Sequence, residues 1–207
     1  MVRLLASCFL LISAWAFAQT AATQAPAKAA VKPRNVLIVY LSRTNNTKAV
    51  AGFIQQAVGG TLVALELEKP YPANYPATVQ QVARENEQGH LPPLRTRIAN
   101  IQQYDVVFVG FPTWGMQLPP PMKSFLKQYD LSGKTVVPFN TNAGYGVGSS
   151  FETVKALAPR SIVLEGYSTR GGVERDGVLF VMDGKKEKQV QQEIMTWLKK
   201  INLLPKP

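Results

Sequence analysis

Cysteine is almost missing from these 207 residues: Cys8 is the only one, and it falls in an N-terminal stretch that reads as removable. Without it the chain has no disulfide, no thiol nucleophile and no thiolate metal site. Histidine is equally scarce. The single copy, His90, sits in the loop-like run Gln88-Gly89-His90-Leu91-Pro92-Pro93, which argues against a Ser-His-Asp triad or a multi-histidine metal centre. There is no Gly-x-x-x-x-Gly-Lys-[Ser/Thr] and no Gly-x-Gly-x-x-Gly, so the triphosphate and dinucleotide fingerprints are both absent. Acidic residues are few, 13 against 23 Lys and Arg, for a net charge of +10. Such an excess could draw nucleic acid or an anionic membrane. The cations are scattered, however, except at Lys185-Lys186-Glu187-Lys188 and Lys199-Lys200, which read as the solvated face of the last helix, and no nucleic-acid partner is expected.

What is present begins with Arg3, an apolar run from Leu4 to Phe17, and Ala16-Phe17-Ala18 before Gln19. A charged start, an apolar middle and small residues at the end are the parts of a secretory signal peptide, with cleavage expected after Ala18. The run, about 14 residues, is short of the ~20 that span a bilayer. The expected location is periplasmic or secreted, with no stable membrane span after cleavage. Leu5-Ala6-Ser7-Cys8 has the look of a lipoprotein box, but the apolar stretch follows Cys8 instead of preceding it. No twin arginine occurs, so passage in the unfolded state is expected. Residues 1–18 are thus assigned to the signal, 19–34, rich in Ala, Thr, Gln and Pro, to a flexible tether, and 35–207 to one domain.

Within that domain the apolar period switches between strand and helix. Val36 to Leu41 is a continuous apolar run dominated by β-branched residues, as expected of a strand covered on both faces. Val50, Phe53, Ile54, Ala57 and Val58 then form a helical stripe, closed by Gly59-Gly60. The same reading gives a strand at Thr61–Leu67, a helix at Tyr75–Glu87, a strand at Asp105–Gly110 and a helix after Pro119-Pro120-Pro121. Strand four is read at Lys134–Asn140, a helix at Ser149–Leu157, strand five at Ser161–Gly166, and a closing helix through Val190, Ile194, Trp197, Leu198 and Ile201. Repeated β-α units imply a mostly parallel sheet with helices on both faces. Thr169–Gly184 reads as a strand continuation or small hairpin, and its position near the ligand end of strand five makes it a candidate for substrate or partner contact.

In such a sheet, ligands lie beyond the carboxyl ends of the strands where strand order reverses. After strand one comes Ser42-Arg43-Thr44-Asn45-Asn46-Thr47, where hydroxyls, side-chain amides and the open N–H groups of a helix start gather as for an anion. After strand three, Phe111-Pro112-Thr113-Trp114-Gly115 places a tryptophan beside glycine, poorly placed for the core but suited to lie on a flat ring. After strand four, Thr141-Asn142-Ala143-Gly144-Tyr145-Gly146-Val147-Gly148 alternates glycines that admit close backbone approach with a second aromatic, Tyr145. Ser, Thr and Asn also cap helices for purely structural reasons. An anion turn together with two glycine-flanked aromatics favours a flat, singly phosphorylated ligand.

At these three loops the chain resembles the flavodoxin family, most closely a bacterial subgroup with an S-R-T-G-N-T-type phosphate loop. The similarity continues through Tyr71-Pro72, Trp114 to Pro121 and Leu131 to Phe139. The resemblance implies an α/β, flavodoxin-like, doubly wound parallel sheet of five strands in the order 2-1-3-4-5 with helices on both faces. It implies FMN as cofactor, with Ser42, Thr44, Asn46 and Thr47 on its phosphate and Arg43 and Asn45 in the same turn. Trp114 would stack on the ring, beside Pro112, Thr113 and Gly115. Thr141, Asn142, Ala143, Gly144, Gly146 and Gly148 would line the pyrimidine side, with Tyr145 over the opposite face. Two positions depart from the pattern: Asn45 stands where glycine is usual, and Gly115 where a second tryptophan often stands. No side chain is implied as a nucleophile and no metal is implied. The function expected is that of an exported FMN-binding protein in electron transfer. The alternatives are an FMN-dependent NAD(P)H:quinone-type reductase and a flavin-binding or flavin-free interaction protein that kept the fold. Electron-carrier members are acidic, so this basic chain implies a different redox partner or a small acceptor such as a quinone.

Overall fold

The structure, a computed structural model, describes residues 34–204. The expected signal segment and all but the last residue of the expected tether lie outside them. Val36–Tyr40 (β1), Thr61–Ala64 (β2), Val106–Pro112 (β3), Thr135–Asn142 (β4) and Ile162–Val163 (β5) pair in parallel in the order β2-β1-β3-β4-β5. This is the order expected, with the reversal at β1 and β3. The register runs Val36↔Val106 to Tyr40↔Gly110 and Val106↔Thr135 to Pro112↔Thr141. It therefore brings the turns after β1, β3 and β4 to one edge of the sheet.

Alternation along the strands sorts their side chains onto two faces. Leu37, Val39, Val107, Val109 and Val136 face one core, covered by Met122 and Phe125 of Pro120–Gln128 (α3) and Val154 of Ser150–Leu157 (α4). Ile38, Phe108, Val137 and Phe139 face the other, covered by Val50 and Ile54 of Asn46–Val58 (α1) and by Val190, Ile194 and Leu198 of Gly184–Lys200 (α5). Each such fully buried aliphatic or aromatic side chain contributes roughly 1.5–3 kcal/mol. Tyr75–Gln88 (α2) packs beside α3. In β3, Gly110 is required by close approach: a Cβ there would enter the ring of Phe139, its partner in β4.

β3 and β4 run two residues past their sequence reading, to Pro112 and Asn142, so Phe111-Pro112 and Thr141-Asn142 are strand ends and not loop; two other strands differ more. The second, expected through Leu67, ends at Ala64. Past it, the Glu66 amide donates to Thr96 Oγ1 (2.7 Å) and Leu67 bridges Leu94 antiparallel. The chain thus leaves the sheet to pair with the segment following α2. The fifth strand, expected as Ser161–Gly166, is two pieces, β5 and Tyr167–Arg170 (β6), both paired to β4. Pro138 explains the break. Val136 and Asn142 present their carbonyls to this edge, to Leu164 N (3.0 Å) and Gly171 N (2.8 Å). Alternate residues share an edge, so Pro138 faces it too and has no N–H to offer. There the pairing moves from Val136↔Val163 to Phe139↔Tyr167, setting Leu164–Gly166 against Val137–Pro138 as a bulge. The stretch Thr169–Gly184 opens as the end of β6, followed by a 3-10 turn at Glu174–Asp176 inside a Val173–Val178 bridge.

Candidate functional site

Leaving β1, the chain turns through Ser42–Asn45 into α1. Asn45 takes left-handed angles (φ 63°) just before the helix, a conformation that asparagine tolerates better than most residues. Ser42 Oγ accepts the Lys48 amide (3.3 Å), and the Asn45 carbonyl accepts that of Ala49 (2.9 Å). The two amides before these, of Asn46 and Thr47, precede any intrahelical acceptor and sit at the positive end of the helix dipole. Thr44, Asn46 and Thr47 line a cavity of ≈ 100 Å³.

The side chains of this turn point largely into protein. Asn46 is buried; its Nδ2 donates to Thr44 Oγ1 (2.8 Å) and the Leu179 carbonyl (2.6 Å), while its Oδ1 accepts the Val181 amide (3.1 Å). Thr47 Oγ1 pairs with Thr141 Oγ1 at 2.8 Å. Arg43 donates from Nε to the Glu174 carboxylate (2.7 Å), from Nη1 to the Pro72 carbonyl (3.0 Å) and from Nη2 to the Ala73 carbonyl (2.7 Å). Both charges of the Arg43–Glu174 pair are about four-fifths shielded, with side-chain exposures of 19% and 20%.

The turn after β3 is a two-residue hairpin. Trp114 and Gln117 exchange backbone hydrogen bonds (3.3 and 3.0 Å) around Gly115 and Met116, both with positive φ (57° and 58°). That is the type I′ pattern, in which the first position readily takes glycine. Trp114 was expected to be poorly placed for the core. It is half-buried instead, packed against core residues and meeting Tyr71 edge to face, with ring centroids 5.4 Å apart and planes at 86°.

The turn after β4 is organised by two asparagines. Asn140, fully buried, donates from Nδ2 to the Phe111 carbonyl and Thr113 Oγ1 (3.0 Å each). Asn142 Oδ1 accepts the amides of Gly144 (2.9 Å) and Gly146 (3.2 Å), and Thr113 Oγ1 donates to the Gly146 carbonyl (3.0 Å). Gly148 has φ 56°, and a Cβ there would strike the Met116 backbone, whose carbonyl accepts the Ser149 amide (3.0 Å). The second and third turns are thereby locked backbone to backbone.

Of the residues predicted for the site, Arg43, Thr44, Asn46, Thr47, Pro112, Thr113, Trp114, Thr141, Asn142 and Ala143 line the ≈ 100 Å³ cavity together. Ser42, Asn45, Gly144, Tyr145, Gly146 and Gly148 do not line it. Ser42 caps α1, Asn45 shapes the turn, and the other four belong to the rim loop, where Tyr145 is 66% exposed. Gly171, Gly172 and Glu174, from the stretch Thr169–Gly184 read as a candidate for substrate or partner contact, also line the cavity, as does Tyr75, which no sequence signal marked.

A second cavity, of ≈ 380 Å³, shares Arg43, Tyr75, Thr113, Trp114 and Glu174 with the first and extends along α2; Gly115 lines this one. Behind Trp114, Tyr71 donates to the buried Glu85 (2.5 Å), which also accepts from Gln81 (2.8 Å). Burial, and then the bond to Glu85, raise the Tyr71 pKa well above the usual phenol range. Burial lowers that of Lys123, whose Nζ donates to Asn86 Oδ1 (2.8 Å). Among the described residues no group of three or more His, Cys, Asp or Glu could hold a metal ion, and no helix is long and apolar enough to cross a membrane.

Comparison with known proteins agrees with this architecture. A family model described as flavodoxin matches residues 35–183. A candidate flavoprotein from Bacteroides eggerthii DSM 20697 superposes with a TM-score of 0.66 at 28% identity, over 82% of this chain and 98% of that one. A flavoprotein in complex with FMN from Lactobacillus acidophilus NCFM does so with a TM-score of 0.59 at 23% identity, over 70% and 98%. No curated protein matches.

Proposed function

The chain belongs to the flavodoxin family, and from that premise we propose that it binds FMN at the joined ends of β1, β3 and β4 and uses it in electron transfer. The observation that carries the reading is the start of α1. Its Asn46 and Thr47 amides, ahead of the capped Lys48 and Ala49 amides, border a cavity whose other side is made by the Trp114 hairpin and the Thr141–Ala143 strand end. A phosphate suits that helix terminus by both hydrogen bonding and dipole. Thr44 and Ser42 add hydroxyls, while Trp114 and the exposed Tyr145 supply rings for a flat group.

Bound FMN supplies one- and two-electron chemistry that no side chain of the domain offers. The chain's own groups bind and orient. The α1 terminus takes the anion, the Asn142-organised amides of Gly144 and Gly146 shape the rim, and the half-buried Trp114 keeps water from one side. The test is titration with FMN and riboflavin. FMN is expected to bind markedly more tightly, and Thr44→Ala to narrow the gap. Equal affinities for the two flavins would remove the phosphate assignment; no flavin binding at all would remove the reading. Anaerobic reduction of the complex, followed by reoxidation with a one-electron protein acceptor or with a quinone, separates a carrier from a reductase.

The location belongs to the same proposal. The tripartite pattern of residues 1–18 supports export with cleavage after Ala18. Protein from the periplasmic fraction should begin at Gln19, and a start at Met1 would overturn cleavage.

A further inference from the structure

Val178, Leu179 and Phe180 stand 46%, 52% and 45% exposed, and they line neither cavity at the strand ends. Their backbone is nonetheless anchored. Val178 bridges Val173, Asn46 holds the Leu179 carbonyl and the Val181 amide, and Val181 and Met182 join the core that the sheet shares with α1 and α5. Three adjacent apolar side chains are thus presented to water just ahead of α5. Apolar residues exposed singly are ordinary, whereas contiguous ones mark a contact surface.

The outward face of α5 continues from there. Lys185, Lys188, Gln192, Met195 and Lys199 recur at spacings of three and four, on the side opposite the buried Val190, Ile194 and Leu198. All five are exposed, and the row extends about 21 Å along the helix. It carries no carboxylate. Glu187 and Glu193 fall on its flanks, where they accept from Gln191 Nε2 (3.4 Å) and from the Tyr167 hydroxyl (2.7 Å). Among the described residues, the one ion pair of α5 is Lys200 with Glu165 (2.6 Å). Of the acids nearest the apolar trio, Asp176 is paired with Arg175 (2.8 Å), which leaves Asp183 to offset one of the three lysines.

Phe180 and Lys185 are five residues apart, at most about 18 Å of chain. An apolar contact or a basic patch alone holds a protein to a bilayer only weakly, and the two together hold it far better. Nucleic acid is gripped by arginine forks and by stacked rings. Here the cations are lysines and two of the three apolar side chains are aliphatic, so a lipid surface is the better match.

We propose that Val178, Leu179 and Phe180, with the lysine face of α5, form a peripheral docking surface for an anionic lipid bilayer. The trio enters the interface and the lysines meet the headgroups. The surface goes beyond the flavin reading, because none of these side chains lines the flavin cavity.

The full chain is sedimented with vesicles of phosphatidylcholine alone and of phosphatidylcholine mixed with phosphatidylglycerol. Tighter binding to the mixed vesicles is expected, weakening as salt is added. Residues 4–17 are common to every chain tested and cancel in the comparison. Lys185→Gln/Lys188→Gln should weaken binding to the mixed vesicles about tenfold or more, from roughly fivefold per lysine near an anionic surface. Lys127→Gln/Lys155→Gln, at exposed positions of α3 and α4 across the sheet, changes the net charge equally and should have little effect. Leu179→Ser/Phe180→Ser keeps the main-chain groups that Asn46 holds, and should weaken binding several-fold with the unfolding midpoint unchanged. Equal binding to the two kinds of vesicle, equal losses in the two lysine pairs, or indifference to Leu179→Ser/Phe180→Ser overturns the proposal. Retention of a DNA duplex without preference for the mixed vesicles also overturns it, by assigning the lysine face to nucleic acid.

Discussion

The turn after β1 and the segment after β6 meet over the same cavity, and they are built in opposite ways. Ser42–Thr47 is polar throughout, and its side chains make the bonds. In the segment of residues 171–182, Val178, Leu179 and Phe180 stand 46%, 52% and 45% exposed, and the contacts come from the backbone: the Leu179 carbonyl and the Val181 amide, both taken by Asn46. Only Glu174 answers with a side chain, on Arg43. The difference separates two jobs within one motif. Asn46 and Arg43 clamp a neighbouring segment, which leaves the main-chain amides at the start of α1 as the groups open to the anion proposed above. A motif that looks like a set of ligands makes most of its side-chain bonds as clamps within the protein.

The largest expected effect follows from breaking the inner clamp. Asn46→Ala leaves the Leu179 carbonyl and the Val181 amide without their partner, at about 2–3 kcal/mol of stability for the two part-buried groups together. Denaturant unfolding measures the loss, and hydrogen exchange should quicken first at Val181. If Asn46 instead serves the ligand by its side chain, stability will barely move while FMN affinity collapses. Arg43→Ala comes next, at about 1–2 kcal/mol, since the pair with Glu174 is shielded but not fully buried and two carbonyls lose a charged donor. FMN and riboflavin affinities should fall together in that variant. A loss confined to FMN would mean that Arg43 reaches the phosphate, and the contrast between clamp and backbone site would then fail at this residue.

Legibility in the sequence divides along the same line. β1, β3 and β4 could be read because their apolar runs are continuous, and α1 and α5 because their stripes keep the helical period. The three turns that meet at the strand ends could be read as one cluster because their polar and aromatic side chains mark them. The Leu179–Val181 contacts could not, since a main-chain carbonyl and amide leave no mark on residue identity. The split of the fifth strand was readable in principle from Pro138, a residue without N–H inside a central strand, but its consequence falls on a neighbouring strand more than twenty residues away, at Leu164–Gly166. Trp114 was legible as a residue at the strand ends and misjudged as to the core, because the edge-to-face contact with Tyr71 depends on where α2 and its lead-in come to rest.

That lead-in is the third piece held by the β1 turn, through the Pro72 and Ala73 carbonyls on Arg43, and Tyr71 fixes it from the other side by donating to Glu85. Tyr71→Phe should cost about 1 kcal/mol near neutral pH, the scale of a hydrogen bond to a charged acceptor discounted for the Gln81 contact that remains. Its pH dependence identifies the cause. Burial first, and the Glu85 bond second, raise the folded-state pKa of Tyr71 above the ordinary 10.0. The folded state therefore holds the phenol proton where the unfolded chain releases it. The stabilisation is complete below pH 10 and drains away as pH climbs past it. Unfolding free energies of wild type and Tyr71→Phe should differ by a constant amount up to about pH 10 and converge above it. Parallel curves throughout would mean that the hydroxyl contributes packing alone, and that the lead-in to α2 is held by Arg43 without help from Glu85.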